Sequence, residues 1–349
     1  MDGELKIERG VALGPLTTLG VGGAAAYFVR AASEDEVEAV FGLAAAEGLP
    51  VFVLGGGSNI VVSDAGFDGL VVQIALKGLE FEEIDGDVVR LSAAAGEDWD
   101  RVVEECVARE LAGFECLSGI PGLVGGTPVQ NVGAYGQEVS ETIVSVRCFD
   151  RTEKKFVELT NKECGFAYRT SIFNTTERDR YVVLSVKFDL NRGGNPRLSY
   201  KDLKERFAEH VPTLAEIREA VLDIRRQKSM VIDSADPNSR SAGSFFKNPI
   251  INANDAGELA NLAGEESVPS FPAGEGRVKV PAAWLIEHAG YRKGYRLGQA
   301  GISANHSLAI VNFGGATSME VILLKDEIQT AVEAMFGISL QPEPIFVGF

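Results

Sequence analysis

The residues most suggestive of chemistry form a glycine-rich segment, Gly119–Glu138, which reads GIPGLVGGTPVQNVGAYGQE. It holds six glycines and two prolines, interspersed with aliphatic side chains that favour burial, whereas flexible linkers of this glycine content are rich in Ser, Lys or Glu. Because glycine tolerates positive φ and lacks a Cβ, such a backbone can approach a ligand closely and direct amides at it. The segment therefore predicts a cradle for a phosphate-bearing ligand.

A second glycine-rich stretch is the triglycine turn, Gly55–Asn59, which follows a predicted strand at Val51–Leu54. It lacks the GK[ST] continuation of a Walker loop, so that class of nucleotide site is excluded. A tight hairpin and an anion-binding nest are equally compatible with the residues alone. A GxGxxA spacing at Gly20, Gly22 and Ala25 has no strand before it and no amphipathic helix after it, and so does not predict a Rossmann domain.

Two sites in the sequence carry cationic side chains that could bind an anion: a single arginine and a cluster. Arg169 lies within the apolar and aromatic segment ECGFAYRTSIFN, where an arginine paired with a core carboxylate is the simpler interpretation. A basic and aromatic cluster suits a pyrophosphate or a sugar nucleotide, with a solvated basic loop as the alternative. Its members are Tyr291, Arg292, Lys293, Tyr295 and Arg296.

Capping signals and apolar periodicity place the elements that must position these residues. A change of composition near Asn191, followed by a capped helix from Thr213, predicts a domain boundary at 212/213. The segment SMVIDSADPNSR predicts a turn-rich surface excursion before Ser244. Helices are predicted at 33–48, 97–111, 213–228, 281–290 and 317–336, and strands at 25–31, 51–54, 87–95, 143–149, 155–159 and 182–190, around HSLAIVNF and at the terminal IFV.

Composition sets the class of protein. The 349 residues are 45% hydrophobic and 24% charged, which suits a folded protein of two or three domains. A net charge of −17 without a basic block argues against nucleic-acid and anionic-membrane partners. No apolar run approaches the roughly 18–20 residues of a membrane span, and the charged MDGELKIERG is unlike a signal peptide, so a cytoplasmic protein is expected. Buried reduced thiols are predicted at Cys106, Cys116, Cys148 and Cys164, without disulfide or metal spacing.

Four motifs, GIPGLVGGTPVQNVGAYG, AYRTSIF, AGSFFKNP and PEPIFVGF, occur in an order that resembles the UDP-N-acetylenolpyruvoylglucosamine reductase family, in its first structural type. This resemblance extends from about Thr17 to the carboxyl terminus, and the sequence departs from the family pattern at SMVIDSADPNSRS. Members of this family are flavoenzymes that form UDP-N-acetylmuramate for peptidoglycan. The resemblance implies a reductase that uses non-covalent FAD, with NADPH as hydride donor and UDP-N-acetylglucosamine enolpyruvate as substrate.

The implied fold is α+β. A vanillyl-alcohol-oxidase/PCMH-type FAD-binding domain of two subdomains, split near residue 75, would occupy residues 1–212. A smaller α+β substrate-binding domain would occupy 213–349, with the last strand returning to the FAD domain. Backbone amides of the triglycine turn would hold the pyrophosphate, and the glycine-rich segment would pass along the flavin. The cofactor-binding residues implied are Gly55, Gly56, Gly57, Ser58, Asn59, Gly119, Ile120, Pro121, Gly125, Gly126 and Thr127, with Gln130 and Asn131 beside the cofactor.

The resemblance also implies three catalytic residues. Arg169 would bind the charge that develops on the substrate carboxylate, because a guanidinium can hold both oxygens and stays protonated. Glu343 would assist enolate stabilisation, and Ser244 would deliver a proton to the adjacent carbon, which requires an activating neighbour or water. Substrate or nicotinamide contacts are implied for Tyr200, on a mobile loop in the family, and for Lys228, Asn248, Lys293 and His306.

Two other functions compete with this hypothesis. One is a flavin oxidase or dehydrogenase of the same fold that acts on another hydroxy acid or sugar. The other is a non-catalytic regulator that binds flavin or a sugar nucleotide. The presence together of Arg169, Ser244 and Glu343 favours the reductase. A monomer without a bound metal is expected.

Overall fold

The computed structural model describes residues 5–349, so the charged amino-terminal decapeptide lies partly outside the described residues. The chain divides into two compact units. The first unit comprises the described residues up to Val11, Ala25–Gly57 and Asp68–Val231, and the second comprises Ala12–Ala24, Ser58–Phe67 and Ile232–Phe349. The boundary predicted at 212/213 precedes the helix Leu214–Gln227, which lies in the first unit.

The four longest described helices begin at a residue whose side chain accepts a backbone N–H of the first turn. Thr213 forms the predicted capping box with Glu216, and the helix predicted from Thr317 also begins with a full capping box, formed with Glu320. Ser33 accepts the Glu36 N–H, but the Glu36 carboxylate accepts from Ala32 rather than from Ser33. In the described residues the helices are α1 Glu34–Glu47, α2 Trp99–Ala108, α3 Lys201–Arg206, α4 Leu214–Gln227, α5 Ala256–Ala263, α6 Ala282–His288 and α7 Ser318–Phe336.

Strands dominate the first unit, and short strands connect the helices of the second. They are β1 Glu8–Ala12, β2 Ala24–Ala31, β3 Val51–Leu54, β4 Ile60–Val62, β5 Phe67–Ile74, β6 Leu79–Asp85, β7 Val88–Ala94, β8 Leu111–Ala112, β9 Gly133–Ala134, β10 Gln137–Glu138, β11 Ile143–Asp150, β12 Lys155–Thr160, β13 Tyr181–Arg192, β14 Ile250–Asn252, β15 Phe271–Pro272, β16 Arg277–Lys279, β17 Arg296–Leu297, β18 Ala300–Ile302, β19 Ile310–Asn312 and β20 Ile345–Val347.

The first unit contains a four-stranded sheet, β1-β2-β5-β3, and a larger sheet, β12-β11-β13-β7-β6, in which β8 also pairs with β13. Helix α2 packs its apolar face into their core, and Val102, Val103 and Cys106 are fully buried. Phe114 meets Trp99 and Phe188 edge to face, with ring centroids 5.0 and 4.9 Å apart. Burial of each such side chain contributes about 1.5–3 kcal/mol, so this core is the rigid base from which the glycine-rich segment emerges.

The second unit is built around α7, which buries Val321, Leu324, Ile328, Val332 and Phe336 at helical spacing. Its strands form β14-β16-β15, β17-β18-β19 and the parallel pair β20-β4. Strand β20 runs beside β4 with Ile345 opposite Ile60. Strand β3 pairs in parallel with β5 instead. The hairpin interpretation of the triglycine turn is therefore wrong, because the strands that flank it have other partners.

All four cysteines are free and buried, as predicted. Burial raises the pKa of the Cys106 and Cys164 thiols to about 12 and raises the pKa of the other two still further. These thiols are therefore protonated and unreactive at neutral pH. Within residues 5–349, no helix combines the length and apolar character needed to cross a membrane.

Candidate functional site

The two glycine-rich stretches touch within the first unit. A Cβ added to Gly56 would lie 2.7 Å from the Gly122 Cα and 3.1 Å from the Leu123 amide nitrogen. Contacts this short leave no room for a side chain at Gly56. The triglycine turn and the glycine-rich segment therefore form one continuous backbone surface.

The backbone amides of the two stretches differ in their hydrogen bonding. Within the glycine-rich segment, Gly125 N–H donates to Ala95 O at 2.9 Å and Gly126 N–H to Leu123 O at 3.0 Å. In the triglycine turn, Gly56, Gly57 and Ser58 have no amide hydrogen bond to an acceptor in the described part of the chain. Gly57 has a φ of 64°. Successive unpaired amides in such a turn suit an anion, whereas the paired amides of Gly125 and Gly126 do not.

Gly125 and Gly126 have different reasons to be glycine. A Cβ on Gly125 would lie 2.7 Å from the Ala95 Cβ, whereas a Cβ on Gly126 would have no atom within 4 Å. Gly125 is therefore required by packing against Ala95, the residue after strand β7, and Gly126 faces open space that a ligand can occupy.

We expect Gly126→Val to retain the fold and to weaken cofactor binding, because the new side chain enters that open space. Flavin retention on purification and titration of the apoprotein with FAD measure the effect. Gly125→Val is the matched comparison, and it should lower the melting temperature by overpacking against Ala95 whether or not cofactor is present. Unchanged FAD affinity in Gly126→Val would place the flavin elsewhere.

Gly119 begins the segment from a buried position with a φ of 71°. Its N–H donates to Asp100 Oδ1 at 2.5 Å, and Arg218 donates to both oxygens of that carboxylate, at 2.6 and 3.0 Å. Burial by itself would raise the pKa of Asp100, but the hydrogen bonds from Arg218 and Gly119 outweigh it and hold that pKa below its usual value. The carboxylate thus fixes where the glycine-rich segment starts.

We expect Asp100→Asn to lose about 1 kcal/mol of unfolding free energy at pH 7, a value reduced for partial solvent screening. Because the folded-state pKa is lowered, the wild-type advantage is complete above the unfolded pKa of about 3.9 and disappears as pH falls through the lower folded value. Urea unfolding at pH 7 and at pH 3 measures this. Equal pH dependence in wild type and variant would contradict it.

Arg225, which lies near Gly119, escaped the sequence analysis. Arg225 is buried, and its Nε has no hydrogen-bond partner within the described residues. This nitrogen would lie 3.3 Å from a Cβ on Gly119. Burial lowers the pKa of Arg225, while the nearby Tyr135 and Asp100 favour its charged form. The apolar periodicity of α4 predicts which of its positions are buried. It does not predict that a buried donor lacks a partner, so the sequence did not single out Arg225.

Arg169 occupies a tight turn that hydrogen bonds between Ala167 and Thr170 close in both directions. It has a φ of 56°, which is uncommon for a non-glycine residue. Its Nη2 donates to the Gly133 carbonyl at 2.5 Å, and the side chain is half-buried rather than in the core. The turn therefore fixes one edge of the guanidinium in a strained, defined conformation.

Asn131 supports the Arg169 turn. Its buried amide Nδ2 donates to Glu138 Oε2 at 2.7 Å and to the Ala167 carbonyl at 3.1 Å, while its Oδ1 accepts from Ser140 N–H. These contacts hold the Asn131 amide in place within the protein, and the position expected for it beside the cofactor stays a prediction. Thr127 is similar, because its buried hydroxyl donates to the Val124 carbonyl at 2.8 Å. Ile120, Pro121 and Gln130 are half-buried along the same segment.

Tyr200 lies immediately before α3 and is 37% exposed. Its ring meets Tyr135 edge to face, with centroids 5.1 Å apart. Burial and the neighbouring Asp202 raise the pKa of Tyr200, so its hydroxyl stays a neutral donor at physiological pH. Lys228 is half-buried at the carboxyl end of α4.

In the second unit, Ser244 Oγ lies 3.3 Å from His306 Nε2. These residues are 62 positions apart in the sequence, and both are half-buried. His306 was expected to contact substrate or nicotinamide, whereas the structure places it against the hydroxyl of Ser244. The activating neighbour that a serine proton donor requires is thereby present.

Glu343 is brought beside Ser244 by main-chain pairing. Its N–H donates to the Phe245 carbonyl at 2.9 Å, and Phe246 bridges to Pro342. Asn59 Nδ2 donates to the Glu343 carbonyl at 3.3 Å. Glu343 is half-buried, not an exposed residue between prolines. One backbone network of the second unit therefore holds Ser244, Glu343 and Asn59.

The polar excursion before Ser244 is turn-rich, as predicted, and it ends in the short helical turn Pro237–Ser239. Asn238 Oδ1 accepts from Ala304 N–H at 2.9 Å, two residues before His306. The departure from the family pattern thus packs against the loop that carries this histidine.

The remaining predicted substrate residues also lie in the second unit. Asn248 Oδ1 accepts from Ala282 N–H at 2.9 Å and so supports the start of α6, which leaves its Nδ2 without an acceptor in the described chain. Lys293 is exposed, while Arg296 of the same basic cluster lies over the Phe313 ring at 3.9 Å. In the described residues, no group of three or more His, Cys, Asp or Glu could hold a metal ion.

Two family models match the chain. One, described as UDP-N-acetylenolpyruvoylglucosamine reductase, C-terminal domain, covers residues 236–347. The other, described as FAD binding domain, covers residues 25–158. Together they confirm the predicted fold class, an FAD-binding domain followed by a reductase-specific domain.

Full-length relatives agree with these matches. The UDP-N-acetylenolpyruvoylglucosamine reductase of Thermobifida fusca is 48% identical over 350 residues, which cover 97% of this chain and 98% of the relative. That of Saccharopolyspora erythraea is 46% identical over 355 residues, with 97% and 95% covered. The crystal structure of the Thermus caldophilus UDP-N-acetylenolpyruvylglucosamine reductase has a TM-score of 0.68 at 26% identity, with 99% and 100% covered.

Proposed function

We propose that this chain, which belongs to the UDP-N-acetylenolpyruvoylglucosamine reductase family, catalyses the reaction of that family with the residues described above. The protein is an FAD-dependent oxidoreductase of peptidoglycan synthesis. It uses NADPH to reduce the enolpyruvyl group of UDP-N-acetylglucosamine enolpyruvate to UDP-N-acetylmuramate. The observation that supports this conclusion most strongly is the 48% identity to a reductase over 97% of this chain. No feature of the site favours the oxidase or the regulator.

The triglycine turn and the glycine-rich segment fit FAD. The unpaired amides of Gly56, Gly57 and Ser58 would hold its pyrophosphate, and the open backbone at Gly126 would adjoin the flavin. The unpaired Nε of Arg225 offers a buried donor near Gly119. When bound, FAD accepts a hydride from NADPH and passes it to the substrate.

Arg169 would hold the substrate carboxylate, because its planar guanidinium can bind both carboxylate oxygens at once. Glu343, held beside Phe245, would stabilise the enolate that forms when the terminal carbon is reduced, acting as a protonated acid that donates a hydrogen bond to it. Ser244 would then give its Oγ proton to the adjacent carbon, so that the Oγ–H bond breaks as the C–H bond forms. His306, 3.3 Å from Oγ, would orient that hydroxyl and then relay a proton from solvent to restore it.

Substrate binding needs local positive charge, because the chain carries a net charge of −17 and the substrate is a diphosphate. Lys228 and Lys293 would supply it. Tyr200 and Asn248 would donate the neutral hydroxyl and the Nδ2 group described above. We assign the FAD-binding domain to residues 1–212, which would also contribute Arg169 and Tyr200 to substrate binding, and the substrate-binding domain to residues 213–349.

The cellular setting follows from the same chemistry. The four free thiols and the nucleotide substrates support a cytoplasmic enzyme, and we propose that it is a monomer. Through its product, the enzyme would contribute to cell-wall formation, cell shape and division.

The decisive experiment is to purify the protein, record its flavin absorbance, and follow NADPH oxidation with and without the enolpyruvyl substrate. We expect a yellow protein whose steady NADPH consumption requires that substrate. A colourless protein that FAD cannot reconstitute would refute every flavoenzyme interpretation. A flavin that NADPH reduces but the enolpyruvyl substrate does not reoxidise would support an oxidase or dehydrogenase instead.

A further inference from the structure

Glu115 is a buried carboxylate that joins three segments of the first unit. It is 1% exposed, and its Oε2 accepts from Gly113 N–H at 2.9 Å. Its Oε1 accepts from the side-chain amide of Gln137 and from the backbone N–H of Arg197, both at 2.8 Å. Gln137 completes the network by accepting from Cys116 N–H at 2.8 Å. All three groups that donate to the carboxylate are neutral, so it acts as a multiple acceptor rather than as half of an ion pair.

Two of these segments carry residues of the proposed site. Arg197 lies three residues before Tyr200, and Gln137 lies in the hairpin Gly133–Glu138, which β9 and β10 form. The same hairpin presents the Gly133 carbonyl to Arg169.

The Arg197–Tyr200 segment contacts the hairpin at further points. Tyr135 packs edge to face on Tyr200. Gly136 has a φ of 86°, and a Cβ on it would collide with Ser199 Oγ. Cys116 Sγ lies 3.4 Å from the Arg197 carbonyl. Each of these contacts depends on the register of the segment along the hairpin, and the Glu115 hydrogen bonds fix that register.

We propose that Glu115 is a positioning residue for substrate binding, which holds the Arg197–Tyr200 segment on the hairpin so that Tyr200 stands ready before the UDP-sugar arrives. The inference rests on the proposed contact between Tyr200 and the substrate. Preordering the segment removes an entropic cost from binding. Loss of Glu115 therefore weakens substrate binding through Tyr200, while the reduction of flavin by NADPH does not depend on it.

A double-mutant cycle tests this in the flavin-loaded protein. Glu115→Gln places an NH2 group against N–H donors, and we expect it to raise the KM for the enolpyruvyl substrate roughly five- to twentyfold with little change in kcat. Tyr200→Ala should also raise this KM. In the Tyr200→Ala background, Glu115→Gln should add no further increase, because the residue through which it acts is gone. The rate of flavin reduction by NADPH should be unchanged throughout.

Asp150→Asn is the matched control. Asp150 is likewise a 1%-exposed carboxylate of the first unit, and it accepts from Thr152 N–H, Glu153 N–H and Arg180. It should lower the melting temperature without raising the substrate KM. If Glu115→Gln does not fold, Gly136→Ala displaces Ser199 from an exposed position and should reproduce the KM effect.

Three outcomes would overturn the proposal. They are an unchanged KM in both Glu115→Gln and Gly136→Ala, KM increases that multiply in the Tyr200→Ala background, and an equal KM increase in Asp150→Asn. A wild-type protein without substrate-dependent NADPH oxidation would instead overturn the proposed function on which the inference rests.

Discussion

Ser244→Ala is expected to leave reduction of the flavin by NADPH intact and to slow reoxidation by the enolpyruvyl substrate roughly 10²–10⁴-fold, the usual contribution of a positioned proton donor. The serine gives up a proton only after hydride has reached the substrate, so the first half-reaction does not use it. Stopped-flow absorbance of the flavin separates the two half-reactions.

A neighbouring serine supplies the control for this expectation. Ser241 is buried in the same stretch, and its Oγ accepts from Gly243 N–H at 3.3 Å. Ser241→Ala should affect neither half-reaction by more than a few-fold. His306→Gln, which removes the ring nitrogen 3.3 Å from Ser244 Oγ, should slow only reoxidation. Equal losses in both half-reactions for Ser244→Ala would show that this serine is structural.

The sequence predicted elements well where capping or burial gave a local signal. The capped helices α1, α4 and α7 and the buried strands β11 and β13 occur where the pattern placed them. Helices α3 and α5 were missed because six and eight residues hold too few turns for a clear apolar period. Strand β6 was missed because most of its residues are exposed.

The arrangement of the site was less accessible to sequence reasoning, because its contacts join distant positions. Nothing local to Ser244 indicates that His306 adjoins it, 62 residues later. Similarly, Glu115 meets the Arg197 amide across 82 residues. Sequence reasoning also cannot distinguish Gly125 from Gly126, although only Gly125 packs against a neighbouring backbone. Motifs identify which residues matter, whereas the fold decides what each one contacts.

Arg169→Lys is expected to slow the substrate half-reaction roughly 10²–10³-fold, the usual cost of removing one donor to a developing oxyanion. Lysine keeps the positive charge but cannot hold two carboxylate oxygens at once. Arg169 also donates to the Gly133 carbonyl at 2.5 Å. The single ammonium group of lysine cannot make this contact and hold the substrate carboxylate at the same time. The result therefore measures geometry rather than charge.

Stability should separate this effect from a folding defect. Arginine and lysine pay the same conformational free energy for the positive φ of 56° at position 169, so the melting temperature should change little. Arg90→Lys is the control, since Arg90 forms a bidentate pair with Asp189 on the sheet of the same unit, at 2.7 Å for both contacts, and has no proposed role in catalysis. Stopped-flow traces should show slow reoxidation in Arg169→Lys alone. Near-wild-type reoxidation in that variant would mean that the substrate carboxylate is bound elsewhere.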